Sequence, residues 1–386
     1  MNDYKYRPNP YIVGKPIYQK KQLFGRENTV KRIQNNIKNN IKITLLHIQR
    51  RIGKTSLITC LPQFFTDDIK CVTFSFQGYK DRSILEILNN LADEIAITID
   101  GVPREVRELA DSSENFFRIF LPRIINTYLS GKKLVLLLDE FDVFEDDTRM
   151  CNQGKRFFYE LEKVVEQQEK LFAILVFGRP LKDMTYLEAF LPKEGQETIE
   201  VGLLDLESTR SLIVEPAKGT LEYEADAIDA IWQLSAGHPS LTQLLCFCIF
   251  NYCREKETKK VTQTHVDSIL DEAMKVGEVA FKGFLGPLNE NEKLFFRAVA
   301  EAQESFQEKQ LKTIIRNWQS VGKRLVEEYG FLEEKEDGTG YKIKVELVRR
   351  WLVKNYPLSD KEKLQMEKIL KKNQTPHFVS WMWNRY

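Results

Sequence analysis

Ile43-Thr-Leu-Leu-His-Ile-Gln-Arg-Arg-Ile-Gly-Lys-Thr-Ser-Leu-Ile58 decides how the rest of the chain reads. It opens as an apolar run suited to a buried strand, turns at Gly53, and resumes as an apolar helix-former beginning at Lys54-Thr55. A strand feeding a helix through Gly-Lys-Thr is the core of a phosphate-binding loop. The backbone amides of Arg51, Ile52, Gly53 and Ser56 lie where phosphate oxygens would be cradled, and the helix N-terminus adds partial positive charge. Lys54 is placed to reach the outer phosphates, and the Thr55 hydroxyl to ligate Mg²⁺. One position departs from the full pattern: Ile48 stands five residues before Gly53, where glycine is usual. A β-branched residue resists positive φ, so Ile48 is expected to loosen the loop and slow turnover.

Outward from this stretch, alternation sets the fold class. Lys70–Phe76, Lys133–Asp142, Leu171–Phe177 and Thr198–Leu203 read as strands. Asn28–Ile41, Ser83–Ile97, Phe116–Leu129 and Lys155–Gln168 read as helices between them. Near-continuous apolar strands alternating with helices predict an α/β domain with a parallel sheet. Asp139 and Glu140 end one such strand, where an open α/β sheet places its ligand crevice. Asp139 is a candidate Mg²⁺ ligand with Thr55, and Glu140 a candidate to orient or deprotonate the attacking water. Arg179, just past the strand 171–177, is a candidate fork for a terminal phosphate.

From Glu207 the pattern turns helical, over Ser208–Val214, Ala225–Leu234, Ser240–Arg254 and Thr262–Met274, with Gly237-His-Pro239 among the turns. Residues 283–289 read as a linker. Helices over 290–302, 307–318 and 321–329 then precede a hairpin, Phe331–Glu333 with Tyr341–Val345, which is the winged-helix plan. The domains expected are 1–22, an extended segment; 23–205, the nucleotide-binding domain; 206–282, a helical lid; 288–357, a winged helix; and 358–386, a lysine-rich and aromatic tail. That tail either folds back on the body or docks a partner.

The totals narrow the function classes. The chain has 386 residues, is 42% hydrophobic and carries a formal net charge of +1. No global field draws it to nucleic acid or an acidic membrane. No apolar run approaches the ~18 residues of a membrane span, and the N-terminus lacks a signal-peptide core, so a cytoplasmic location is expected. The six cysteines lack paired metal-ligand spacing and read as small buried hydrophobes. His47, on the strand before the loop, reads as structural.

Taken in order, Asn9-Pro-Tyr, Gly14-Lys-Pro, Leu23-Phe-Gly-Arg-Glu27, Arg50–Ser56, Leu138–Asp142, Gly178-Arg-Pro180 and Gly237-His-Pro239 resemble the prokaryotic AAA-like ATPases of the STAND class, akin to archaeal AAA-type ATPases. The resemblance spans residues 9–357. It implies an α/β P-loop NTPase (AAA+/STAND-like) with helical lid and C-terminal winged helix, binding ATP or ADP with Mg²⁺. Gly25 and Arg26 map to the adenine and ribose contact, and His238 and Pro239 to the lid turn near the nucleotide. The function implied is a slowly hydrolysing switch whose nucleotide state controls assembly, as a homo-oligomer or with a sensor or effector in trans. Two alternatives stand beside it. One is a DNA-binding AAA+ ATPase, with Lys309, Lys312, Arg316, Lys323, Arg324, Lys342 and Lys344 as its basic set. The other is a pseudo-ATPase scaffold, suggested by Ile48.

Overall fold

The computed structural model describes residues 7–48, 52–145, 148–178, 195–305, 318–327, 329–335 and 340–363. They form two compact units, one of residues 15–212 and the other of residues 7–14 with 213–363.

The first unit is built on a sheet of five parallel strands: β1 (Ile43–Ile48), β2 (Ile69–Ser75), β3 (Lys133–Asp139), β4 (Leu171–Phe177) and β5 (Gln196–Val201), in the order β2-β3-β4-β1-β5. Position in the sheet explains composition. β1 and β4 lie inside it and every residue of each is buried; β4 is an unbroken apolar run, and β1 is apolar but for the buried Thr44 and His47. The edge strands β2 and β5 bury alternate residues in their second halves, with Thr73 and Glu200 facing solvent. Successive side chains point to opposite faces. Leu45, Leu136, Leu138, Leu175 and Phe177 pack under α3 (Ile84–Thr98) and α4 (Thr148–Gln167). Leu46, Ile48, Val135, Leu137 and Val176 pack under α1 (Glu27–Lys38) and α2 (Lys54–Cys60).

Ile48 is the point at which the sequence reading needs correction. It is 1% exposed and is the last residue of β1, registered against Val201 of β5. Its backbone is extended, so the β-branched side chain suits the position and the objection from positive φ falls away. The left-handed turn is made by Gly53, at φ +89°.

Other expectations also shift. The helix read as Phe116–Leu129 begins at Ser113 and is wound partly as π turns, over Phe116–Phe120 and Ile124–Tyr128. The charged stretch 100–114 contains a short helix, Arg104–Arg107.

The first unit closes with most of α5 (Leu206–Val214), and the second unit continues with α6 (Ala225–Ser235) and α7 (Pro239–Glu255). The region is not helical throughout, because β6 (Glu222–Tyr223) pairs in parallel with β7 (Lys260–Val261). The helix expected over 262–274 breaks at Ile269 into α8 (Gln263–Ser268) and α9 (Leu270–Val276). The stretch read as a linker instead holds the end of α10 (Glu278–Leu285), with Phe284 and Leu285 buried. Beyond it come α11 (Glu290–Ser305) and α12 (Trp318–Glu327). The antiparallel pair β8 (Leu332–Glu334) and β9 (Tyr341–Ile343) and then α13 (Glu346–Asn355) follow. The helix expected over 307–318 lies mostly, and the tail beyond 363 wholly, outside the described residues. One hydrophobic core runs through the unit, with Phe281 stacked on Trp351 at 5.3 Å and Phe284 against Phe331 at 4.9 Å.

The N-terminal segment does more than lie along a surface. Tyr11 is 3% exposed in that core. Its hydroxyl donates to the Ile213 carbonyl and lies 2.9 Å from the Tyr223 hydroxyl. Asn9 bonds the Phe247 carbonyl at 2.9 Å, and the Ile12 amide donates to Gln243 at 2.9 Å.

Candidate nucleotide site

The site in the first unit is assembled at the carboxyl ends of β1 and β3. Gly53 reaches its left-handed conformation at no steric cost, and a Cβ there would meet nothing within 4 Å. The turn lets α2 start directly at Lys54. Thr55 is exposed and Ile52 is buried beneath the turn. The Ser56 hydroxyl accepts from the Ile17 amide at 3.0 Å, so it tethers the N-terminal segment to α2. Arg51 lies outside the described residues, as does Arg179.

Lys54 crosses to the end of β3. Its ammonium lies 3.2 Å from Asp139 Oδ1 and pairs closely with Glu140 Oε1. Asp139 Oδ1 also accepts from the Glu140 amide at 2.7 Å. Burial raises the pKa of Asp139, and the Lys54 charge and that amide oppose the rise. Glu140 sits at φ +55°, an unusual conformation for a residue with a side chain and one often found at functional sites. Three groups from two distant parts of the sequence thus meet: a cation at a helix start and two adjacent carboxylates at a strand end.

Three further residues belong to this framework. Asp142 is 5% exposed, and its Oδ2 accepts from the Gly178 amide at 3.3 Å, tying the turn after β3 to the end of β4. Its sequence signal was a second carboxylate between phenylalanines, Phe141 and Phe144. Arg26 is also buried, and it donates from Nη2 to the Ile52 carbonyl at 3.2 Å. Gly25, at φ +69°, packs where a Cβ would lie 2.6 Å from both Leu204 and Ser208, so only glycine admits the start of α5 there.

His238 and Pro239 belong to the second unit. His238 is 4% exposed, its carbonyl accepts from the Leu241 and Thr242 amides, and its ring lies 5.7 Å from that of Phe284. Pro239 opens α7, where a missing N–H costs nothing. His47 is 7% exposed and stacks on Phe177. The buried thiols of Cys246, Cys248 and Cys253 titrate above their ordinary range because burial disfavours the thiolate. Among the described residues no helix is long and apolar enough to cross a membrane.

No protein-family model matches the sequence, and no curated protein matches it either. Solved structures do. The Walker-type ATPase PABY2304 of Pyrococcus abyssi superposes with a TM-score of 0.61 at 16% identity, covering 88% of this chain and 98% of its own. The ORC2 protein of Aeropyrum pernix, solved in ADPNP–ADP complexes, superposes with a TM-score of 0.59 at 12% identity, covering 96% and 99%. With the five-stranded parallel sheet, these likenesses show an α/β fold shared with the Walker-type ATPase and the ORC2 protein.

Proposed function

We propose that this protein binds ATP and ADP as an AAA+ switch ATPase of the STAND kind, hydrolyses ATP slowly, and uses its nucleotide state to control assembly with partners. The observation that carries the reading is the ion-paired set Lys54, Asp139 and Glu140 beside the Gly53 turn. Phosphate oxygens compete with carboxylates for an ammonium. Their arrival would draw Lys54 from the two acids, leaving Asp139 free to ligate a cation and Glu140 free to take a proton from water. Slow turnover then follows from the strength of the pairing that must be broken. The donors fit Mg²⁺, since the Thr55 hydroxyl and the Asp139 carboxylate are the hard oxygen type it selects, with phosphates completing its shell. When bound, the ion would neutralise charge on the transferring phosphate. The pseudo-ATPase alternative loses its main support, because Ile48 is a strand residue and leaves the turn to Gly53.

The test is to identify any nucleotide that co-purifies with the protein, then to measure its mass in solution with ADP and with non-hydrolysable ATP. The expected result is a bound adenine nucleotide and a mass that differs between the two. Both should vanish in Lys54→Ala. No nucleotide and no Lys54-dependent change would defeat the reading.

The DNA-binding alternative, through a winged helix over 288–357, has a thinner basis. Two members of its basic set are already paired: Arg324 lies 3.0 Å from the buried Glu292, and Lys342 lies 2.9 Å from Glu333. A duplex-DNA titration at two salt concentrations decides it, because several phosphate contacts would give a steep salt dependence.

A further inference from the structure

The resemblance assigns Arg26 to the adenine and ribose, but its side chain is committed elsewhere. The residue is 7% exposed, and its guanidinium donates to the Ile52 carbonyl at 3.2 Å. The residue has little freedom to turn away. Gly25 is wedged against Leu204 and Ser208, and Arg26 occupies the N-cap position of α1, its carbonyl accepting from the Val30 amide. Keeping the cation there is costly, since burial lowers its pKa to about 10.

The geometry of the peptide unit gives this contact a consequence. A trans peptide is planar, with its C=O and N–H pointing in opposite directions. Holding the Ile52 carbonyl toward Arg26 therefore aims the Gly53 N–H away from it. Gly53 is the residue that turns the chain into α2, and its open side has room for a ligand. Without the clamp, the Ile52–Gly53 peptide can rotate and present a carbonyl where phosphate needs a donor.

We infer that Arg26 is a positioning residue of the phosphate loop, acting through the Ile52 carbonyl to orient the Gly53 amide, and that it does not read the base or sugar. The inference rests on the nucleotide-binding reading above. Its signature is indifference to the nucleoside: losing Arg26 weakens the grip on any polyphosphate, with or without adenosine attached.

The experiment compares ATP with inorganic tripolyphosphate, by calorimetry at matched ionic strength. It uses the full chain as wild type, Arg26→Ala and Arg26→Lys, each checked for cooperative thermal unfolding. Loss of a charge-assisted hydrogen bond that holds the loop should weaken both ligands in parallel, by about tenfold for Arg26→Ala. Arg26→Lys, which keeps the charge and one donor, should recover part of both, and it carries the comparison if the alanine variant does not fold. Weakening confined to ATP would show a base or ribose contact and overturn the inference. Unchanged affinity for both ligands would overturn it as well. A wild-type protein that binds neither ligand in a Lys54-dependent way would remove the nucleotide reading, and this inference with it.

Discussion

Glu140 and Asp139 are neighbours with different predicted roles, and substitution should separate them. Glu140→Gln keeps the side chain's shape and removes its capacity as a base. Nucleotide affinity should stay within about threefold while hydrolysis falls by about 10²-fold or more, as measured by phosphate release. An unchanged rate would move the base elsewhere. Asp139 carries a pH consequence. Burial raises its pKa above the unfolded value. Its contribution therefore favours the fold below the ordinary carboxylate range and is lost as pH rises through the raised pKa. At neutral pH the ionised group works against folding, so Asp139→Asn should hold or raise the melting temperature while weakening Mg²⁺-dependent nucleotide binding. A lower melting temperature would mean that the Lys54 pairing outweighs the burial. Ile48 offers the plainest contrast with motif logic. Writing the usual glycine into this position removes a buried side chain from the sheet core and adds backbone freedom, so Ile48→Gly should cost about 3–5 kcal/mol in chemical denaturation.

Between elements, the Gly25–Arg26 step links α1, the turn before α2 and α5 with two residues. Arg26 holds that turn by a hydrogen bond, and Gly25 lets α5 approach by having no side chain. Gly25→Ala would set a methyl 2.6 Å from Leu204 and Ser208 at a φ of +69°. Backbone strain and overpacking together predict a loss of about 2–4 kcal/mol, read as a shift in denaturation midpoint. A neutral outcome would mean that α5 can retreat at little cost. The sheet shows how far composition tracks position. β1 and β4 are buried throughout and mostly apolar because both faces are covered, whereas the edge strands alternate in their second halves.

At the level of the whole chain, the first described residues and the last share one core. Tyr11, Asn9 and Ile12 are bound by residues 213–247 of the second unit, so the N-terminus serves a core built from the other half of the sequence. Tyr11→Ala should therefore destabilise that unit by about 3–5 kcal/mol, the range for emptying a buried aromatic site. Hydrogen exchange should show the protection lost from α7 while β1 and β4 keep theirs. Equal loss in both units would mean that they unfold together.

The parallel sheet, the glycine turn into α2, the acids at the end of β3 and most helix spans were legible from the amino-acid order, because each depends on periodicity or on residues close in sequence. Gly53-Lys-Thr55 needs only its own backbone, and a strand buried on both faces needs only to be apolar. What only the folded chain decided depends on contacts between distant residues. The role of Ile48 required its registration against Val201. The clamp from Arg26 to Ile52 spans 26 positions and leaves no local pattern. The break at Ile269, the burial of Phe284 in a stretch that reads as a linker, and the destination of Tyr11 were set by which apolar surfaces could cover one another. That choice is made by three-dimensional packing, to which a one-dimensional pattern is blind.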